Sequence, residues 1–184
     1  MDISVDTNTI TNNVSNCRKD NWSQQDEFMI NKQINVELHA AHIYNSLYCY
    51  FKSDSIGFTG TAEFFKKYSD EENEHARKFM EYQNTRGGKV ILENIEKPVF
   101  EFDQNSEKSL LYQAFNYALE TEQKVYESIK KISEETSDIA LEDFLDDFLK
   151  EQLDAQYHLG LKLKQIEIIG NNGFGLIYFD KEYI

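Results

Sequence analysis

The sequence is poor in residues that interrupt or cross-link a chain. Its 184 residues include one proline, eight glycines and two cysteines. Because proline and glycine often end helices and form turns, their scarcity favours a mainly helical fold. Cys17 and Cys49 show neither paired nor metal-ligand spacing. We expect both to be reduced thiols, with Cys49 as a small core residue.

An excess of positive charge and long apolar runs are also missing. The net charge is −14, which argues against nucleic acid or an anionic membrane as a partner and favours an attraction for cations. No run approaches the ~18 apolar residues that a membrane span needs, and residues 1–21 lack the apolar centre of a signal peptide. We therefore expect a cytoplasmic protein with no nucleic-acid or membrane partner.

The chain does contain enough apolar material for one core. Hydrophobic residues make up 40% of it and aromatic residues 14%, which predicts a single globular domain. Residues 1–22 are rich in Asn, Thr, Ser and Asp and show no periodicity. We expect a flexible N-terminal tail at residues 1–22, followed by the domain at residues 23–184.

Four segments carry apolar residues at alternating gaps of three and four, the pattern of helices packed in a bundle. They predict helices from a Ser23 cap to about residue 53, from a Thr59 or Thr61 cap to Arg86, at about residues 107–134 and at about residues 138–168. Between the second and third helices, residues 89–106 lack a helical pattern; fully extended, they reach ~60 Å at about 3.3 Å each. Such a crossover can return along a whole helix and makes these two helices parallel.

One polar residue interrupts each apolar stripe near the middle of the predicted bundle. The four are Glu37, Glu72, Glu122 and Gln152, and His75 shares a helix face with Glu72. An unpaired buried carboxylate costs several kcal/mol, and the stripes offer no lysine or arginine to offset three of them, so a bound cation is indicated. The alternative is that these residues form an ordinary solvated acidic face.

The chemistry of these side chains restricts the metal. Carboxylate oxygens with a single imidazole suit iron or manganese better than copper or a structural zinc ion. Two metals bridged by Glu72 would balance more of the carboxylate charge than one metal. The residues thus favour a dinuclear site.

Several motifs together make the chain resemble a ferritin subunit of the iron-oxidising kind. They are INVEL at residues 34–38, EENEHA at 71–76, QNTRGG at 83–88, KP at 97–98, EQ at 151–152, GL at 175–176 and DK at 180–181. The resemblance covers about residue 23 to the end. It implies an all-α, ferritin-like four-helix bundle with one long crossover between helices 2 and 3 and a short C-terminal fifth helix.

The resemblance also implies roles for the polar residues. Glu37, Glu72 and His75 would hold the first iron, while Glu72, Glu122 and Gln152 would surround the second. Tyr44 matches the family's site-adjacent tyrosine. Ala155 stands where bacterioferritins repeat a histidine, which fits a centre that releases iron rather than one that keeps it, and we expect no haem.

Four further acids resemble residues that handle iron beside the centre in some relatives. Glu71, Glu151 and Asp154 would form a third iron site, and Glu74 would serve iron transit or mineral nucleation. The alternative is that all four are ordinary exposed acids.

The predicted function is iron storage and detoxification. Fe(II) would be oxidised by O₂ or H₂O₂ at a di-iron centre inside each subunit, and Fe(III) would be deposited as a mineral in a homo-oligomeric cage of twenty-four subunits. The alternatives are a peroxide-consuming mini-ferritin, an oxygenase-type di-iron protein, and a passive storage or structural subunit. The segment after Gly173 and the ligands within one bundle argue against the mini-ferritin.

Overall fold

The computed structural model describes residues 22–98 and 100–182, and these form five helices and no strand. The helices are α1 (Gln24–Lys52), α2 (Thr59–Thr85), α3 (Leu110–Glu135), α4 (Ile139–Ile169) and α5 (Gly173–Lys181). The all-helical fold class and the short fifth helix are therefore confirmed. Cys17 and the predicted tail lie outside the described residues, except for Trp22, which is buried against the bundle.

Local sequence explains where most of the helices begin. The Ser23 hydroxyl accepts a hydrogen bond from Asp26 N at 2.9 Å, so the predicted cap of α1 is confirmed. Helix α3 begins three residues after the predicted position because Ser109 caps it, accepting from Tyr112 N at 3.2 Å. Asp138 caps α4 through bonds from the next turn's backbone N–H groups. These side chains satisfy donors that the helix itself leaves unpaired.

Two predictions about individual residues are wrong. Thr59 and Thr61 do not cap α2, because both lie inside its first turn and the capping position is Phe58, which offers no side-chain acceptor. The acceptor comes instead from α5, where the Asp180 carboxylate binds Thr61 N at 2.6 Å and Gly60 N at 3.2 Å. Cys49 is exposed rather than in the core.

Helices α1 and α2 pack as an antiparallel pair. Gln83 Nε2 donates to Glu27 O at 2.8 Å near one end, and the rings of Phe51 and Phe58 lie 6.3 Å apart at the other. Helix α3 is also antiparallel to α1, since its early residues contact the end of α1 and its later residues contact the beginning. Helices α2 and α3 are thus parallel, as the crossover predicts.

The crossover between α2 and α3 begins at a left-handed glycine and is held against α1. Gly87 has φ +76°, a conformation that glycine adopts without steric cost. The Asn31 side chain donates to Lys89 O and accepts from Ile91 N, both at 2.9 Å. Lys89 N in turn donates to a Glu27 carboxylate oxygen at 2.8 Å.

The core consists of two apolar clusters arranged along the bundle. One contains Phe51, Phe65 and Phe115, and the other contains Ile30 and Phe79 with their neighbours. On every long helix, the polar interruption of the stripe falls between residues of the first cluster and residues of the second. The fold therefore places one polar layer between two apolar ones.

None of the described helices combines the length and the apolar character that crossing a bilayer requires.

Candidate metal centre

The four polar interruptions lie inside the bundle. The exposed fractions are 0% for Glu37, 2% for Glu72, 1% for Glu122 and 2% for Gln152. Each of the four long helices contributes one of them. The alternative of a solvated acidic face therefore fails for these residues.

Three of the predicted ligands form a compact group. One potential ligand atom from each of Glu37, Glu72 and His75 lies within 4.8 Å of the others. Glu72 and His75 are one turn apart on α2, and His75 Nδ1 lies 3.3 Å from Glu72 Oε2. The other ring nitrogen, Nε2, lies 3.1 Å from Glu151 Oε2, so a carboxylate outside the group orients the imidazole.

A second group of polar side chains is contributed mainly by α3 and α4. The Tyr44 hydroxyl donates to Glu122 Oε1, which explains why a tyrosine in the core accompanies the carboxylates. Glu122 and Gln152 line the same pocket as Glu72 and His75. Among the hydrogen bonds of the described residues, none reaches Glu37 Oε2, Glu122 Oε2 or Gln152 Oε1. Buried oxygens without donors are the atoms that a cation would satisfy.

The three carboxyl groups perturb one another. Burial and, second, the nearby charge of Glu122 raise the pKa of Glu72 to about 8. Burial likewise raises the pKa of Glu122 to about 7, against the opposing effect of hydrogen bonds from Tyr44 and Gln152. The pKa of Glu37 is also well above its ordinary value because of burial and the proximity of Glu72. Without a cation, this interior favours protonated carboxyl groups.

A pocket of about 470 Å³ connects the centre with the protein surface. The four outer acids of the sequence prediction, Glu71, Glu74, Glu151 and Asp154, all line it and are all exposed.

Three of the four outer acids have neighbours of opposite charge or hydrogen-bonding partners. Glu71 lies 3.5 Å from Lys67 and Glu74 lies 3.3 Å from Arg77, while Glu151 contacts His75. Lys67 lines the same pocket. The mouth of the pocket is therefore acidic but interspersed with basic groups.

Two polar residues behind Glu37 were not predicted from the sequence. Gln33 is fully buried one turn earlier on α1, and its Nε2 donates to Glu37 Oε1 at 2.7 Å. The Ser128 hydroxyl donates to Gln33 Oε1 at 2.6 Å. The four-residue spacing of Gln33 and Glu37 was the available signal, because such residues share a helix face.

The chain is similar in sequence to proteins of a known family. A family model described as "Ferritin-like domain" matches residues 29–169. Ferritin-1, chloroplastic, of Brassica napus is 39% identical over 176 residues, which cover 94% of this chain and 68% of the relative. Ferritin-2, chloroplastic, of Zea mays is 42% identical over 159 residues, with coverages of 84% and 63%. Ferritin-3, chloroplastic, of Vigna unguiculata is 37% identical over 179 residues, with coverages of 95% and 69%.

These relatives correct one prediction. Their names all contain the word chloroplastic, which contradicts the cytoplasmic location that the polar first residues suggested. The chain spans about two thirds of the length of these relatives, from 63% to 69% in the three compared above. The absence of an apolar signal sequence was therefore not sufficient to assign a compartment.

Proposed function

Because this chain belongs to the ferritin family, we propose that it stores iron and oxidises Fe(II) to Fe(III) at a centre within each subunit. Family membership supports iron storage and the binding of iron. The observation that supports the oxidation step is the group of Glu37, Glu72 and His75, which lies with the buried Glu122 in an interior where carboxylate oxygens are left for a cation. Carboxylates favour the higher charge of Fe(III), so they lower the potential of bound iron.

The proposed ligands follow from the two groups in the interior. Glu37, Glu72 and His75 hold the first Fe(II), and Glu72 reaches toward the second. Glu122 and Gln152 complete the second position, where the single charge and the neutral amide bind iron more weakly. A weaker second position suits a substrate that must leave after oxidation.

Binding of iron displaces protons from the carboxyl groups of the centre. The raised pKa values of Glu72 and Glu122 mean that the empty centre holds protons near neutral pH. Fe(II) displaces them, so uptake of iron releases protons and becomes stronger as the pH rises.

Electron balance requires two iron ions for each oxidant molecule. Two Fe(II) ions give one electron each to O₂, which takes up two protons and leaves as H₂O₂. With H₂O₂ as oxidant, the same two electrons and two protons produce two water molecules. Tyr44 contributes by fixing Glu122 through its hydroxyl group.

Products then leave through the pocket. We propose that Glu71, Glu151 and Asp154 form a third iron position and that Glu74 assists transit, since all four line the route from the centre to the surface. Fe(III) is deposited as a mineral inside a homo-oligomeric cage of twenty-four subunits.

Removing two ligands together tests the proposed oxidation. The double variant Glu72→Ala/His75→Ala should slow aerobic Fe(II) oxidation at least tenfold. The rate is measured from the rise in Fe(III) absorbance after rapid mixing. Glu81→Ala, which changes an exposed glutamate on the same helix, is the matched control and should oxidise iron at the wild-type rate.

Two results would count against the proposal. The first is a double variant that keeps the wild-type rate. The second is a wild-type protein with only the slow kinetics of a growing mineral surface, which would identify a passive storage subunit.

A further inference from the structure

A buried hydrogen-bond chain reaches the centre from α3 through α1. It starts at the Ser128 hydroxyl, passes through the Gln33 amide and ends at one carboxylate oxygen of Glu37. Both bonds are short, at 2.6 Å and 2.7 Å. Gln33 and Glu37 have no exposed surface, so water does not compete for the bond between them, whereas Ser128 is half-buried.

Ser128 and Glu37 together hold the amide of Gln33 in one orientation. A hydroxyl that donates must face the carbonyl oxygen of the amide, because the NH₂ group has no lone pair to offer. The Gln33 NH₂ group is consequently turned toward Glu37. The ionised carboxylate of Glu37 only accepts, so it also requires the NH₂ group on its side. Without the hydroxyl, the Gln33 amide would be held by its bond to Glu37 alone.

The hydrogen bond from the Gln33 amide makes the two carboxylate oxygens of Glu37 inequivalent. Oε1 accepts the N–H of Gln33, whereas Oε2 is buried and receives no hydrogen bond from the described residues. A carboxylate with one oxygen held by a donor has the other available for a metal. It is also prevented from rotating to present both oxygens equally.

We propose that Gln33, held in place by Ser128, is a positioning residue that makes Glu37 bind metal through a single oxygen, Oε2. This inference rests on the proposed function, because it assumes that Glu37 is a ligand. Gln33 does not touch the metal itself. Its effect is to fix the direction of the ligand and the number of coordination positions that Glu37 fills.

Cobalt(II) is a suitable probe because air does not oxidise it when its ligands are carboxylates and imidazole. Its visible absorption also depends on the coordination number of the metal. We expect Gln33→Leu to lower the affinity for the first Co(II) about tenfold, the effect typical of losing an outer hydrogen-bonding partner of a metal ligand. The visible band should weaken, because a freed carboxylate that binds through both oxygens raises the coordination number.

Ser128 variants test the orientation of the amide separately. Ser128→Ala keeps Gln33 but removes one of the two contacts that hold its amide, and it should show the same spectral change with a smaller loss of affinity. Ser128→Thr keeps the hydroxyl and should restore both the spectrum and the affinity. This pair also provides the test if Gln33→Leu does not fold.

Gln83→Leu is the matched control for a merely structural effect. Gln83 is another fully buried glutamine of the bundle, and it donates to Glu27 O at 2.8 Å far from the centre. Its replacement should lower the thermal midpoint while leaving the Co(II) spectrum unchanged.

The outcomes separate the two proposals. Gln33→Leu and Ser128→Ala proteins with wild-type Co(II) affinity and spectrum would overturn the positioning role, even if Glu72→Ala/His75→Ala lost its Co(II). A double variant that binds Co(II) as the wild type does would overturn the proposed function and this inference with it.

Discussion

At the scale of residues, the centre brings together three glutamates that cannot all be charged without a cation. Glu72 and Glu122 have pKa values raised to about 8 and about 7, and burial is the main cause for both. In the absence of metal, bound protons therefore neutralise these carboxyl groups. Metal and protons compete for the same oxygens, which couples the occupancy of the site to pH.

The stability of the metal-free protein should fall as the pH rises from 5.5 to 8.5. The folded chain keeps protons on Glu72 and Glu122 above 4.5, the ordinary value of the carboxyl pKa, whereas the unfolded chain has lost them. The stabilising contribution is complete below pH 4.5 and is lost as the pH passes 7 and then 8. We expect a loss on the order of a few kcal/mol, measured by urea unfolding in the presence of a chelator.

A variant without these titrating groups provides the comparison. Glu72→Gln/Glu122→Gln should give a flatter dependence of unfolding free energy on pH over the same range. If the wild type and this variant have parallel profiles, the raised pKa values do not contribute to stability.

The interior polar residues could be predicted because each one interrupts a regular apolar stripe. Glu37, Glu72, Glu122 and Gln152 all stand where a hydrophobic residue belongs, and the structure buries every one of them. Gln33 was missed because the apolar residue beside it, Ile34, already continues the stripe, so only its four-residue spacing from Glu37 places it on that face. Cys49 was misplaced because residue type alone does not determine which face of a helix it occupies.

At the scale of elements, the start of α2 depends on the last helix of the chain. The two carboxylate oxygens of Asp180 accept from the backbone of Gly60 and Thr61. An anion at a helix N-terminus also interacts favourably with the helix dipole. One side chain therefore both caps α2 and attaches α5 to the bundle.

Asp180→Ala should destabilise the protein by about 1–2 kcal/mol, the usual cost of losing a helix cap. Unfolding in urea would measure the loss, and amide exchange should accelerate at Gly60 and Thr61. Asp180→Asn keeps one acceptor and should give an intermediate result.

Asp70→Ala, which removes an exposed acid from the same helix, is the control and should leave stability nearly unchanged. Protection of the Gly60 and Thr61 amides that survives in Asp180→Ala would contradict the capping role.

Helix positions and the crossover were predictable because apolar periodicity and the scarcity of glycine and proline are local signals. The cap of α2 was not, because its acceptor is separated from Thr61 by 119 residues. Nearby threonines offered a plausible local solution that the backbone does not use. Long-range capping leaves no pattern at the helix that receives it.

At the scale of the whole molecule, large apolar side chains remain exposed on α4 and α5. Phe174 is 81% exposed and Tyr178 is 66% exposed. Further exposed members are Leu153, Tyr157, Leu161, Ile168 and Ile177. Large apolar side chains exposed along two neighbouring helices are candidates for contacts between protein molecules, and they are compatible with the proposed cage.

Native mass spectrometry should find the wild type as an assembly of about twenty-four subunits. Phe174→Ser/Tyr178→Ser should shift the population toward smaller species on dilution, because contacts between subunits would lose apolar area. Lys150→Ser, at an exposed position on α4, is the control. A twelve-subunit shell in the wild type, or a double variant that assembles normally, would contradict this account.

The polar layer between two apolar clusters separates the chemistry of this protein from its architecture. Each cluster packs its own end of the bundle, and the residues of the centre add buried charge that the scaffold does not need. Substitution of the ligands by apolar residues should therefore leave a subunit that still folds. A shell made from such variants together with intact subunits would have a catalytic capacity set by gene expression rather than by the shape of the bundle.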